Sequence, residues 1–325
     1  MTRKRLKSIV WQVLRVTVVA VIFYFVLRDV DFPALWESLR AIRPGYLVAA
    51  AAVWIFAVGI ASLRWKVLIG AIAPGTPVSA TFIYNLIGQF YSQFLPGNIT
   101  GDVVKGYYMA RTQANKAAML SSAVIDRIIG LVVNSTIGFV TLGFSPLLLD
   151  LFGLPVWLVW GAVALVIVGV VAGMLFVGWL GRFEDRFPAP VRRLYRIAAD
   201  YAEHPRIVAT ASAISVCYFL AWALSVYLLA LTARIEVVDY ATAVLLLSAV
   251  NLVTVLPISI NGLGVREGTV VFLLGQFGVQ SERALVLSLL IFAMGLLVGV
   301  VGGLFVATDY RHIREEVEAV PVSEQ

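Results

Sequence analysis

Cysteine is almost missing from this chain: Cys217 is the only one, so no intrachain disulfide can form and a disulfide-stapled secreted scaffold is excluded. It lies in an apolar run, where a small core residue is expected. Histidine is nearly as scarce. His204 and His312 are far apart and in polar segments, which leaves no cluster for a metal or a catalytic triad. Charge is short too: 14% of residues are Asp, Glu, Lys or Arg, against roughly a quarter in ordinary soluble domains. Disordered chains and basic nucleic-acid modules both need more. G-x-S-x-G, S-x-x-K, Walker and H-E-x-x-H sequences are also absent, so nothing signals a hydrolase, an ATPase or a zinc protease. The expectation is a protein with no catalytic residue, no metal and no cofactor.

What the chain has instead is apolar surface. Hydrophobic residues make up 61% of its 325 positions and the mean hydropathy is +0.92, more than a water-facing shell could cover. The bilayer is the solvent. At about 20 residues per spanning helix, at most eight or nine crossings fit. The net charge of +6 sits in short loops, where it reports orientation. Its expected partners are membrane lipids, mainly anionic, and not nucleic acid.

Arg3, Lys4, Arg5 and Lys7 precede an apolar run from about Ile9 to Leu27. The run is long for a secretory signal and ends in Arg28-Asp29-Val30-Asp31 in place of a cleavage site, so it reads as a retained first span starting in the cytoplasm. Residues 33–43 read as a short interfacial helix. Further full spans are expected at about 44–69, 117–143, 155–180, 207–231 and 284–307. The second closes in Arg64-Trp65-Lys66, a basic and aromatic anchor. Arg182, Arg186, Arg192, Arg193, Arg196 and Arg206 mark a cytoplasmic loop, whereas 144–153 carries no Lys or Arg. Both termini are placed in the cytoplasm, with 309–325 a polar tail behind a single transmembrane domain, 1–308.

Two apolar stretches, 81–94 and 242–256, are short or polar for lone spans, and each stops at Leu-Pro followed by glycines. Such breaks are tolerated at membrane depth where the freed backbone faces protein or a water-filled cavity. Both are read as arms of re-entrant hairpins, with eight full spans as the competing count. Leu95-Pro96-Gly97-Asn98-Ile99-Thr100-Gly101 matches Leu256-Pro257-Ile258-Ser259-Ile260-Asn261-Gly262 as L-P-x-x-I-x-G, at an offset of 161 residues. The same offset carries the second span onto the fifth and the third close to the sixth. The fold class expected is therefore an all-α polytopic membrane protein built as an inverted-topology repeat, about 9–143 and about 155–307, an architecture recurrent in secondary transporters.

The ionisable residues in this apolar setting are the candidate site. Asn98, Asp102 and Lys105 follow the first break, where backbone N–H groups at a helix start plus a cation would suit a phosphate. Asp102 either holds Lys105 in place or caps the helix. Asn261, Arg266 and Glu267 follow the second break, with Arg266 a phosphate ligand oriented by Glu267 or else one half of a structural pair. Asp126 has Lys105, Arg111 and Arg64 as possible ion-pair partners, and Arg127 and Asn134 are seven apart on one helix face. Asn85, Gln89 and Gln93 recur every four residues and read as one polar face lining the pathway. Gly295, Gly299 and Gly303, like Gly169 and Gly173, read as ridges for close helix packing.

Leu95–Gly106, Ser122–Leu131 and Leu256–Gly268 together resemble the flippase-like transmembrane family found as the N-terminal part of lysylphosphatidylglycerol synthase, over nearly the whole chain. The resemblance implies a bacterial or archaeal inner-membrane protein that translocates or handles modified phospholipids or polyprenyl-linked glycolipids. It marks Asp102, Lys105, Asp126, Arg127, Arg266 and Glu267 as motif positions. Only a short tail follows the last span, so lipid aminoacylation is not expected of this chain. Two functions are carried forward: a flippase for an anionic phospholipid or polyprenyl-linked glycolipid, and a non-transporting accessory subunit of a lipid or envelope-polysaccharide synthase, with that enzyme as partner.

Overall fold

The computed structural model describes residues 30–70, 73–94, 100–112, 115–151, 153–186, 188–255 and 262–318. The expected first span, both Leu-Pro breaks with Asn98 and Asn261, and the end of the tail lie outside these residues. Among the described residues the chain is all-helical, and five helices are long and apolar enough to cross a membrane. It is a polytopic membrane protein.

In chain order the helices are α1 (Phe32–Arg40), α2 (Pro44–Gly70), α3 (Val78–Phe94), α4 (Thr100–Thr112), α5 (Lys116–Gly143), α6 (Pro146–Leu151), α7 (Val156–Leu180), α8 (Ala189–Glu203), α9 (Pro205–Thr232), α10 (Tyr240–Val255), α11 (Val265–Gln276) and α12 (Ser281–Glu318). The five long ones, α2, α5, α7, α9 and α12, coincide with the five later spans expected from apolar length. A helix apolar on every side is stable only in a core or in lipid, and both occur. Much of α12 is buried in the bundle, whereas almost all of α7 faces outward. The short α1 caps itself with Asp31, which accepts from the Ala34 amide, and exposes Phe32 and Trp36. Its amphipathic pattern fits a helix lying at an interface.

Each of the two broken stretches is a helix that reverses into a second helix packed against it: α3 into α4, and α10 into α11. In the first hairpin Gly88 and Gly101 let the two backbones meet; a Cβ on Gly88 would stand 2.8 Å from the Gly101 carbonyl oxygen. In the second, Gly262 and Gly264 adopt φ of +74° and +80°, the left-handed region that glycine enters without a Cβ penalty. The Gly264 amide then donates to Glu267 Oε2 at 2.6 Å, which satisfies one free N–H at the start of α11.

The 161-residue offset holds for the architecture. It carries the start of α2 onto the start of α9 and the ends of α3 within one residue of α10. Exchanging equivalent helices also maps the packing onto itself: α3 with α12 becomes α10 with α5, α4 with α5 becomes α11 with α12, and α2 with α5 becomes α9 with α12. At the centre α2 packs along its own equivalent, α9. The Arg43 amide meets the Thr232 carbonyl, Ser225 Oγ donates to the Ala50 carbonyl, and Arg64 Nη1 donates to Ser215 Oγ. Rising numbers on α2 thus meet falling numbers on α9. These two equivalent helices are antiparallel, as an inverted repeat requires.

Three packing expectations changed. Gly295, Gly299 and Gly303 do form a ridge against α3, joined by Gly302, whose Cβ position is filled by the Leu86 carbonyl. Gly169 and Gly173 meet nothing within 4 Å and instead line an apolar groove between α5, α7 and the start of α9. Cys217 is exposed on the outer side of α9, not a core residue. Trp65 is fully buried and donates to Ser122 Oγ at 3.2 Å, so it is no interfacial anchor.

Candidate functional site

Between the two repeats lies a cavity of about 310 Å³, walled by residues of α2, α3, α4, α5, α9, α10, α11 and α12. Its polar lining comes from both halves. Lys105 and Arg266 are separated by the repeat offset, each on the second helix of its hairpin. Both are buried. Buried cations at membrane depth need partners, and the two are held in different ways.

Lys105 Nζ sits 2.8 Å from Asp126 Oδ2 and 3.0 Å from Asp102 Oδ1, with Asn85 Oδ1 accepting at 3.2 Å. Asp102 lies one turn before Lys105 and so grips it, while also lying 3.8 Å from Arg127 Nε. Asp126 is 1% exposed and its other oxygen accepts from Arg64 Nε at 2.5 Å. Arg64 lies 5.5 Å over the ring of Tyr218, and Lys105 lies 5.0 Å over the ring of Trp65. Asn85 passes the network on by donating to Ser62 Oγ at 3.0 Å. One carboxylate thus ties α2, α4 and α5 together through two cations.

Arg266 has a local partner. Its Nε and Nη2 donate to the same Glu267 oxygen at 3.1 and 2.6 Å, and its guanidinium lies 5.0 Å over Phe292. Glu267 is held in turn by the Gly264 amide and by Ser288 Oγ. The repeat-equivalent of Glu267 is Gly106, which packs against Leu120 and Ala123. The two cations therefore share a position but not a counter-ion.

Of the residues expected from sequence, Lys105, Asp102, Arg127, Asn134, Arg266, Asn85, Gln89 and Gln93 all reach the cavity wall. Asp126 and Glu267 stand behind it, holding the cations that face it. Four cations line the wall, Arg64 among them, and the three carboxylates of the cluster leave one positive charge over. Arg64 was read from the sequence as part of an interfacial anchor and as a possible partner of Asp126; it is buried and takes the second role. Sequence reasoning missed the aromatic side: Trp54, Trp222 and Tyr218 stack edge-to-face and face-to-face at 5.7 and 5.8 Å. A tryptophan in mid-span was the available signal. Three polar atoms of the wall, Arg127 Nε, Asn134 Oδ1 and Trp222 Nε1, are buried without a hydrogen-bond partner among the described residues. No group of three His, Cys, Asp or Glu side chains is placed to hold a metal ion among those residues.

Residues 12–303 match the family described as the lysylphosphatidylglycerol synthase TM region. No curated protein matches the chain. With nine-tenths of its length inside that match, the chain belongs to this family.

Proposed function

We propose that this member of the lysylphosphatidylglycerol synthase membrane family is a lipid translocator, non-catalytic, that takes an anionic head group into the cavity between its repeats. The supporting observation is that Lys105 and Arg266, at equivalent positions of two antiparallel-related hairpins, face one cavity. Taking a phosphate through hydrocarbon is costly because water is lost and nothing replaces it. Two positioned cations, with helix N-termini beside them, supply the replacement.

In this reading α3–α4 and α10–α11 are re-entrant hairpins entering from opposite faces, and Asn98 and Asn261 belong to the head-group site. Asp126 and Glu267 position the cations, and Gln89 and Gln93 line the path. The repeats rock about the α2–α9 seam to expose the site to each leaflet in turn. The protein sits in a bacterial or archaeal inner membrane as one transmembrane domain, with both termini and the arginine-rich 182–206 loop in the cytoplasm.

Mass spectrometry of lipids co-purified with the wild type and with a Lys105→Gln, Arg266→Gln double variant tests the site. One anionic lipid is expected to be enriched in the wild type alone, with both proteins eluting as the same monodisperse species. Indistinguishable lipid profiles would overturn the head-group reading.

A further inference from the structure

Resting on that head-group reading, we infer that the cavity selects a monoanionic phosphodiester whose second ester arm carries hydroxyl groups, such as a glycerol, an inositol or a sugar.

Charge sets the first half of this class. Arg64, Lys105, Arg127 and Arg266 line the wall, while Asp102, Asp126 and Glu267 are already engaged with them. One positive charge remains. A phosphodiester neutralises it, whereas a diphosphate or a phosphomonoester brings a second negative charge that would be buried without a partner. With every carboxylate of the cluster occupied, an amine-bearing head group finds no counter-ion.

Two of the three unsatisfied polar atoms of the wall set the second half; the third, Arg127 Nε, faces Asp102 at 3.8 Å. Asn134 Oδ1 is an acceptor and Trp222 Nε1 a donor, both buried in the wall and both without a partner among the described residues. A hydroxyl group donates and accepts, so a polyol satisfies both. A methyl ester satisfies neither and an ammonium only the acceptor. Trp54, Trp222 and Tyr218 line the same wall and supply apolar surface for the C–H side of such a polyol. At about 310 Å³ the cavity is at the small end of ligand pockets, so it admits a head group and leaves the chains in the bilayer.

The full-length protein in detergent is titrated by native mass spectrometry with phosphatidylinositol, phosphatidylglycerol, phosphatidylmethanol and phosphatidic acid of identical acyl chains, and with a polyprenyl-phosphate-linked hexose. Phosphatidylmethanol keeps the charge and removes the hydroxyls. It is expected to bind at least about tenfold more weakly than whichever hydroxyl-bearing diester binds best, the equivalent of two neutral hydrogen bonds. That best diester also tells whether the chains are diacylglycerol or polyprenol. In Asn134→Leu and Trp222→Phe the ratio falls toward one while phosphatidylmethanol binding holds. Equal binding of phosphatidylmethanol to the wild type, or phosphatidic acid binding tenfold tighter than every diester, overturns the inference. The Lys105→Gln, Arg266→Gln variant separates the two levels: if it loses all diesters alike the head-group reading stands even when the hydroxyl preference fails, and if it loses none that reading falls first.

Discussion

Replacing Asp126 by Asn tests the centre of the charged network. The carboxylate is 1% exposed, holds Arg64 at 2.5 Å and Lys105 at 2.8 Å, and both contacts are charge-assisted. Asparagine keeps the shape but gives up both ion pairs. Lys105 retains Asp102 and Asn85, whereas Arg64 is left with Ser215 and the Tyr218 ring. Removing one partner of a buried pair costs about 3–5 kcal/mol, and retained geometry with one amide oxygen recovers part of that. The expected loss is about 2–4 kcal/mol. Denaturation in mixed micelles, followed by circular dichroism, measures it as a shift of midpoint. A double variant, Arg64→Leu with Asp126→Leu, removes the orphaned guanidinium together with its partner and is expected to be more stable than Asp126→Leu alone, with a coupling of about 1–3 kcal/mol. A loss under about 0.5 kcal/mol for Asp126→Asn, or strict additivity in the cycle, would refute the claim that this carboxylate ties three helices together.

Gly101→Ala places a Cβ onto Ser92 Oγ and the Gly88 carbonyl; the first hairpin is expected to splay, with a lower melting temperature and about 1–3 kcal/mol lost to overpacking. Gly169→Ala meets only open space and is expected to leave the melting temperature within a degree or two, or to raise it slightly. The exposed Arg43–Glu236 pair, 2.8 Å apart, is worth no more than about 0.5 kcal/mol, so Glu236→Gln should be neutral in the same micelle titration. Asp239 precedes α10 and is held below the usual carboxylate range by hydrogen bonding from Thr242. A depressed folded-state value means its contribution is present above the unfolded value of 3.8 and lost as pH falls through the folded one. The stability difference between wild type and Asp239→Asn should therefore shrink on acidification through that window, and a difference that stays constant would contradict it.

Long apolar runs and their proline and glycine breaks were legible in the sequence, because the bilayer fixes the length of a span and forbids unpaired backbone in lipid. So was the repeat, since one offset had to carry whole helices. The polar face of Asn85, Gln89 and Gln93 was legible because polar residues give a helix a phase. In α2 and α9 nearly every side chain is apolar and no such phase exists. For that reason Trp65 looked like an interface residue and is buried, Cys217 looked like core and is exposed, and Trp54 and Trp222 gave no sign of meeting. The counter-ion of Asp126 had three candidates by composition; that Arg64 and Lys105 were the two taken depended on a crossing of α2, α4 and α5 that no local pattern encodes.

The central claim is that two equivalent cations of two inverted repeats serve one translocated head group. Proteoliposomes carrying a fluorescent phosphatidylglycerol, bleached from outside by dithionite, test it most directly. The account predicts that the wild type speeds loss of the protected inner-leaflet signal, and that Lys105→Gln with Arg266→Gln, reconstituted to the same density, does not. Equal rates for wild type, double variant and protein-free vesicles would contradict it.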